Sequence, residues 1–143
     1  MSESNSYYTL KGYSMIEGTQ ITTAMEDYLE MLCRLNNDNQ YLRINTIAGH
    51  LHVKPSSASK MIQNLKIHGL VNFEKYGIVS LTDKGRELGK YLLFRHDILN
   101  QFFCYINHTD NELEQVEKVE HFIDKRTILH MAEFLEIVKI REH

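Results

Sequence analysis

No stretch of this 143-residue sequence stays apolar long enough to cross a bilayer, because charged side chains interrupt every candidate run. The first eight residues, MSESNSYY, lack the basic and apolar parts of a signal peptide. Cysteine is scarce: Cys33 and Cys104 are the only two, and each falls in an apolar helical context. Two such residues do not make a disulfide framework, so two buried free thiols in a reducing cytoplasm are expected. Also lacking are a cysteine pair at zinc spacing, a glycine-rich phosphate loop, an internal repeat and a low-complexity segment. With 43% hydrophobic and 24% charged residues, what is left is an ordinary globular chain, long enough for one domain or two small ones sharing a core.

The net charge of −3 argues against nucleic-acid binding until it is divided along the chain. Residues 40–91 hold eight basic side chains (Arg43, Lys54, Lys60, Lys66, Lys75, Lys84, Arg86, Lys90) against three acidic ones (Glu74, Asp83, Glu87), a net of +5. The remainder holds eight basic against sixteen acidic, a net of −8. A basic middle suits phosphates, and acidic flanks suit bound cations.

Residues 1–20 show no period and read as a flexible arm. Thr22 or Thr23 then caps a helix to about Leu35, with an apolar stripe of Ile21, Met25, Tyr28, Leu29, Leu32 and Leu35. Ile44, Ile47, Ala48 and Leu51 make a short amphipathic helix with Asn45 as its cap. A turn over residues 52–55 leads to a second helix that opens on Pro55, buries Ala58, Met61, Ile62 and Leu65, and ends at Gly69. Two short helices joined this tightly make a helix-turn-helix. The second presents Ser56, Ser57, Ser59, Lys60, Gln63 and Asn64, groups that reach base edges and phosphates, with Lys54 just ahead of them. The plain alternative is a solvated helix face. Two strand-like runs follow, Leu70–Phe73 and Ile78–Leu81, joined by Lys75-Tyr76-Gly77, a wing whose Lys75 and Tyr76 are placed to touch DNA. Thr82 and Asp83 restart a long helix to about Ile106.

The remaining chemistry lies outside the basic middle. In the expected helix over residues 110–123, Glu117, Glu120 and His121 stand at i, i+3 and i+4 and would share one face. Crowded carboxylates repel, and a cation would relieve them. Taken alone, this motif reads equally well as an exposed acidic face with a stray histidine. Asp27 and Glu30 form a second acidic pair, and His96 sits in an apolar helix where a core histidine is the commoner explanation. Asp124 caps a last helix that is apolar on more than one side, so a homodimer is expected.

At this point the residues resemble the diphtheria toxin repressor family of metal-dependent transcriptional regulators, most closely its short, manganese-responsive branch of manganese transport regulators. The resemblance runs from about Thr22 to Val138. It rests on Met25-Glu26-Asp27-Tyr28-Leu29-Glu30, the Pro55-Ser56-Ser57 helix start, Gly69-Leu70, Arg95-His96, and Val116-Glu117 through Glu120-His121. It implies a two-metal site formed by Asp27, Glu30, His96, Glu117, Glu120 and His121, with two Mn2+ per subunit. The iron-responsive branch differs in carrying Met and Cys where this chain has Asp27 and Glu117. Independently, four carboxylates and two imidazoles without a thiolate form a hard donor set suited to Mn2+.

The expected fold is mainly α with a small β-hairpin wing. The arm of residues 1–20 precedes a winged helix-turn-helix over 21–90, and an all-helical metal-binding and dimerisation domain covers 91–143. The expected function is a manganese-dependent repressor of a palindromic double-stranded DNA operator, with metal-uptake genes as the regulated class that the family implies. The protein is expected not to be an enzyme. A metal-dependent hydrolase or di-iron enzyme would leave the basic helix-turn-helix and wing unexplained, and no nucleophile stands out. The more serious alternative is a winged-helix regulator that senses an organic ligand or a partner.

Overall fold

The computed structural model describes residues 13–16, 19–36, 42–74 and 77–142. The chain divides into two compact units, one of Ala24–Leu92 and one of Met1–Thr23 with Leu93–His143.

The unit Ala24–Leu92 begins with helix α1 (Thr23–Leu35). Its stripe of Met25, Tyr28, Leu29 and Leu32 is buried at the spacing expected of one helical face. Helix α2 (Ile44–Leu51) is entered directly from the extended residues Leu42 and Arg43. This moves the cap from the expected Asn45 to Arg43, two residues earlier. Arg43 occupies the cap position without a side-chain cap, and Asn45 lies exposed inside the first turn. His52 takes the left-handed conformation (φ 55°) at the end of α2. Val53 N donates to Ala48 O at 3.1 Å, closing the turn. Helix α3 (Pro55–Ile67) follows with Pro55 in its first turn and packs against α2 through buried Ala58, Ile62 and Leu65, while Met61 is half-buried.

Gly69 ends α3. At φ +74° it adopts the conformation glycine accepts at least cost, so its N–H reaches Lys66 O at 2.9 Å and Leu70 N reaches Leu65 O at 3.0 Å. This delivers the chain into strand β4 (Val71–Phe73), which pairs antiparallel with β5 (Ile78–Leu81). The sheet has a third strand that the sequence reading did not anticipate, β3 (Leu42–Arg43), giving the order β3-β5-β4. Two residues are too few to declare a period. Thr82 Oγ1 accepts from Gly85 N at 3.0 Å and donates to Gly69 O at 2.7 Å, capping helix α4 (Asp83–Asn107). A Cβ on Gly85 would stand 1.9 Å from Leu70 O, so only glycine lets the start of α4 lie against this backbone.

In the other unit, β1 (Tyr13–Ile16) pairs antiparallel with β2 (Thr19–Thr22). The reading of residues 1–20 as a flexible arm is corrected over this stretch, while residues 1–12 lie outside the described residues. Residues 17 and 18 also lie outside the described residues. Residues 93–107 of α4 are followed by a loop in which Asn100 Oδ1 accepts from Glu112 N at 2.9 Å. Helix α5 (Leu113–Val119) then gives way to a 3-10 turn, Glu120–Phe122, and helix α6 (Lys125–Glu142) completes the chain. Ile98, Leu99, Val116, Ile128 and Leu135 form the core of this unit. Burying each such side chain contributes about 1.5–3 kcal/mol. Among the described residues, no helix is long and apolar enough to cross a membrane.

Candidate metal centre and nucleic-acid interface

The candidate nucleic-acid face lies on α3. Pro55 fixes where the helix starts, and Gly69 fixes where it stops. Burial of Ala58, Ile62 and Leu65 then dictates the side turned outward. Lys54, Ser56, Ser57, Lys60, Gln63 and Asn64 are all exposed, and those on the helix recur at spacings of three and four that make one continuous stripe. Ser59, at its border, is half-buried. A donor- and acceptor-bearing stripe of this width suits the edges of base pairs in a major groove. Lys75 and Tyr76, expected at the tip of the wing, lie outside the described residues.

The candidate ligands fall into two groups by element. Asp27 and Glu30 are on α1, where Asp27 is exposed and Glu30 half-buried with Arg34 Nη2 at 3.7 Å. In the other unit, His96 Nδ1 lies 3.2 Å from Glu120 Oε1. Glu120 is 2% exposed, so this carboxylate is withdrawn from solvent and faces an imidazole. His121 is half-buried, with its Nδ1 3.4 Å from Arg95 Nη2.

The helical face expected for Glu117, Glu120 and His121 is broken. Glu117 is exposed on α5, whereas Glu120 and His121 belong to the 3-10 turn after it. The chain must leave the helix here, because Ile123 is extended (φ −99°, ψ 127°) and Asp124 opens α6 by accepting from Thr127 N at 2.8 Å. A helix that ends one turn before a new cap commonly tightens to 3-10. The hydrogen bonds from Thr127 hold the Asp124 carboxyl below its usual range. Neither cysteine is fully buried, contrary to expectation. Both are free and half-buried, and burial pushes the Cys33 thiol upward against the opposing pull of Lys90, Arg86 and Arg34.

The sequence reading gave no role to Arg95, which is 1% exposed. The available signal was an arginine embedded in an apolar helix beside a candidate ligand. Such a charge is seldom buried without a partner.

The donors that meet in this unit are carboxylate oxygen and imidazole nitrogen. The buried Glu120 carboxylate beside His96 fits a divalent cation, because a cation offsets the cost of burying that charge and the pair needs no thiolate partner.

Comparison with known proteins assigns a family to each part of the chain. Residues 20–79 match the model of the iron dependent repressor N-terminal DNA binding domain. Residues 82–143 match the iron dependent repressor metal binding and dimerisation domain. The HTH-type transcriptional regulator MntR of Oceanobacillus iheyensis is 35% identical over 119 residues, covering 82% of this chain and 81% of that protein. The structure of the manganese regulator SloR superposes with a TM-score of 0.67 at 27% identity over 78% of this chain. The chain spans only 53% of SloR. A manganese-dependent transcriptional repressor in complex with manganese is similar, with a TM-score of 0.66 and 26% identity over 78% of this chain and 52% of that one.

Proposed function

The chain belongs to the iron-dependent repressor family of transcriptional regulators, as its resemblance to the diphtheria toxin repressor implied, and from that premise we propose that it is a manganese-dependent repressor. In this reading residues 21–90 read DNA, residues 91–143 bind metal and dimerise, and the protein acts in the cytoplasm on a palindromic operator. The observation that carries it is the buried Glu120 carboxylate facing His96, in a chain whose other unit is a winged helix-turn-helix.

Asp27, Glu30, His96, Glu117, Glu120 and His121 are the proposed ligands, and two Mn2+ per subunit are the proposed load. When bound, the metal supplies positive charge that the carboxylates otherwise lack. Mn2+ is the weakest binder of the divalent series, so a hard donor set and its coordination geometry select it rather than raw affinity. In this reading metal binding favours the DNA-binding state. Couplings of this kind are worth about 1–3 kcal/mol.

The proposed homodimer uses α6. Leu129, Phe134, Ile137 and Ile140 remain exposed there, and Phe134 already packs against Phe102 and Tyr105 at ring separations of 5.6 and 5.9 Å. Two copies of α3 about 34 Å apart would fit successive major grooves. No observation favours the organic-ligand alternative.

Selection from a pool of random duplexes at fixed salt, in chelator-treated buffer with and without Mn2+, tests this function. Enrichment of a palindrome only with Mn2+ is expected. Equal enrichment in both conditions would leave a winged-helix DNA binder and remove the metal switch.

A further inference from the structure

Arg95 and His121 make a contact whose chemistry bears on the proposed metal site. Arg95 precedes His96 on α4 and is 1% exposed. Its Nη2 lies 3.4 Å from His121 Nδ1. A guanidinium has only donors and stays charged, so Nδ1 must be the acceptor. A neutral imidazole has a single in-plane lone pair on its nitrogens. With that pair on Nδ1 and directed at Arg95, the proton sits on Nε2. Neither nitrogen then offers a lone pair to a cation.

His96 stands the other way round. Its Nδ1 faces Glu120 Oε1 at 3.2 Å, and an ionised carboxylate accepts. That partner draws the proton to Nδ1 and leaves the Nε2 lone pair available. A carboxylate behind an imidazole also raises its strength as a ligand. The Nδ1 atoms of the two histidines thus face partners of opposite charge, a guanidinium at His121 and a carboxylate at His96.

We propose that Arg95 is a positioning residue that competes with the metal for His121, holding the imidazole in the tautomer that cannot ligate. Loading His121 requires the Arg95 contact to break, or the proton to move from Nε2 to Nδ1 with Arg95 turned away. Either route lowers affinity and raises the metal concentration at which the protein responds. The proposal rests on His121 being a ligand, as argued above. At Gly85 the backbone itself sets the packing, whereas this contact is one side-chain pair that a cation can displace.

The test uses the 15N-labelled full chain. In chelator-treated buffer, long-range imidazole 1H–15N correlations should show His121 with an unprotonated Nδ1 and a protonated Nε2. Calorimetric titration with Mn2+ should show Arg95→Met binding about tenfold tighter than wild type, the equivalent of one charge-assisted hydrogen bond removed. Arg95→Lys, which keeps a donor and a charge, should stay near wild type. In a His121→Ala background the gain from Arg95→Met should vanish. A wild-type His121 protonated at Nδ1 overturns the proposal, as does weaker or unchanged Mn2+ binding by Arg95→Met. A gain that persists without His121 would mean a general charge effect and overturns it too. If Arg95→Met does not fold, the wild-type tautomer and Arg95→Lys decide. Failure of the wild type to bind Mn2+ would bring down the metal-site reading with this one, whereas binding with the opposite tautomer overturns only this one.

Discussion

The unit Ala24–Leu92 and the segment from Glu117 to Asp124 reach order by different means. In the first, backbone geometry fixes the working surface: Pro55 starts α3, Gly69 stops it, and Gly85 lets α4 lie against Leu70. The exposed stripe on α3 follows from one unbroken helix. In the second, the candidate ligands are spread over a helix end and a 3-10 turn, and side-chain partners hold them: Glu120 with His96, His121 with Arg95. A reading surface that must match DNA benefits from rigidity. A sensing site benefits from contacts that a cation can replace.

Substitutions sharpen this contrast, beginning with the largest expected effect. Gly85→Ala puts a Cβ against Leu70 O and should cost about 3 kcal/mol or more in urea unfolding, since a backbone atom must move. A loss near zero would show that the start of α4 is not locked. Glu120→Ala should lower Mn2+ affinity at least about a hundredfold by calorimetry, while leaving metal-independent DNA contacts intact. Affinity equal to wild type would remove Glu120 from the ligand set.

Asp124→Ala removes the cap of α6 and should cost about 1 kcal/mol. The folded Asp124 carboxyl titrates below its ordinary value, so its stabilisation is present above the unfolded value and is lost as pH falls through the folded one. The variant and wild type should therefore converge in stability in acid. A gap that widens as pH falls would contradict the cap. Lys60→Ala should have the smallest effect. DNA binding weakens evenly across sequences, and the salt slope falls by about 1. A change of sequence preference would instead place Lys60 on a base edge.

Much of the first region was legible in the sequence because local rules agree there. The apolar spacing of Ala58, Ile62 and Leu65, the lone Pro55 and Gly69 all point to the same helix. Thr82 was recognisable as a cap by type and position. The strand β3 and the β1–β2 hairpin were not read, because two- and four-residue strands gain their order from pairing rather than from periodicity. In the second region the residue types of the candidate site were visible and its shape was not. Val116 and Ile123 keep helical spacing across the break, so nothing in the pattern signals that Glu120–Phe122 tightens to 3-10. The burial of Arg95 was hidden for a related reason: its neighbours predict an apolar helix, and a single charge in it reads as exposed until its partner is known.

The most direct test of metal-linked DNA binding is the affinity for Mn2+ measured in the presence and absence of a selected palindromic duplex. Linkage requires the duplex to tighten Mn2+ binding by the same factor by which Mn2+ tightens the duplex, about 5–150-fold for couplings of ordinary size. Mn2+ affinity that is indifferent to the duplex would contradict a metal-activated repressor, however tightly each ligand binds alone.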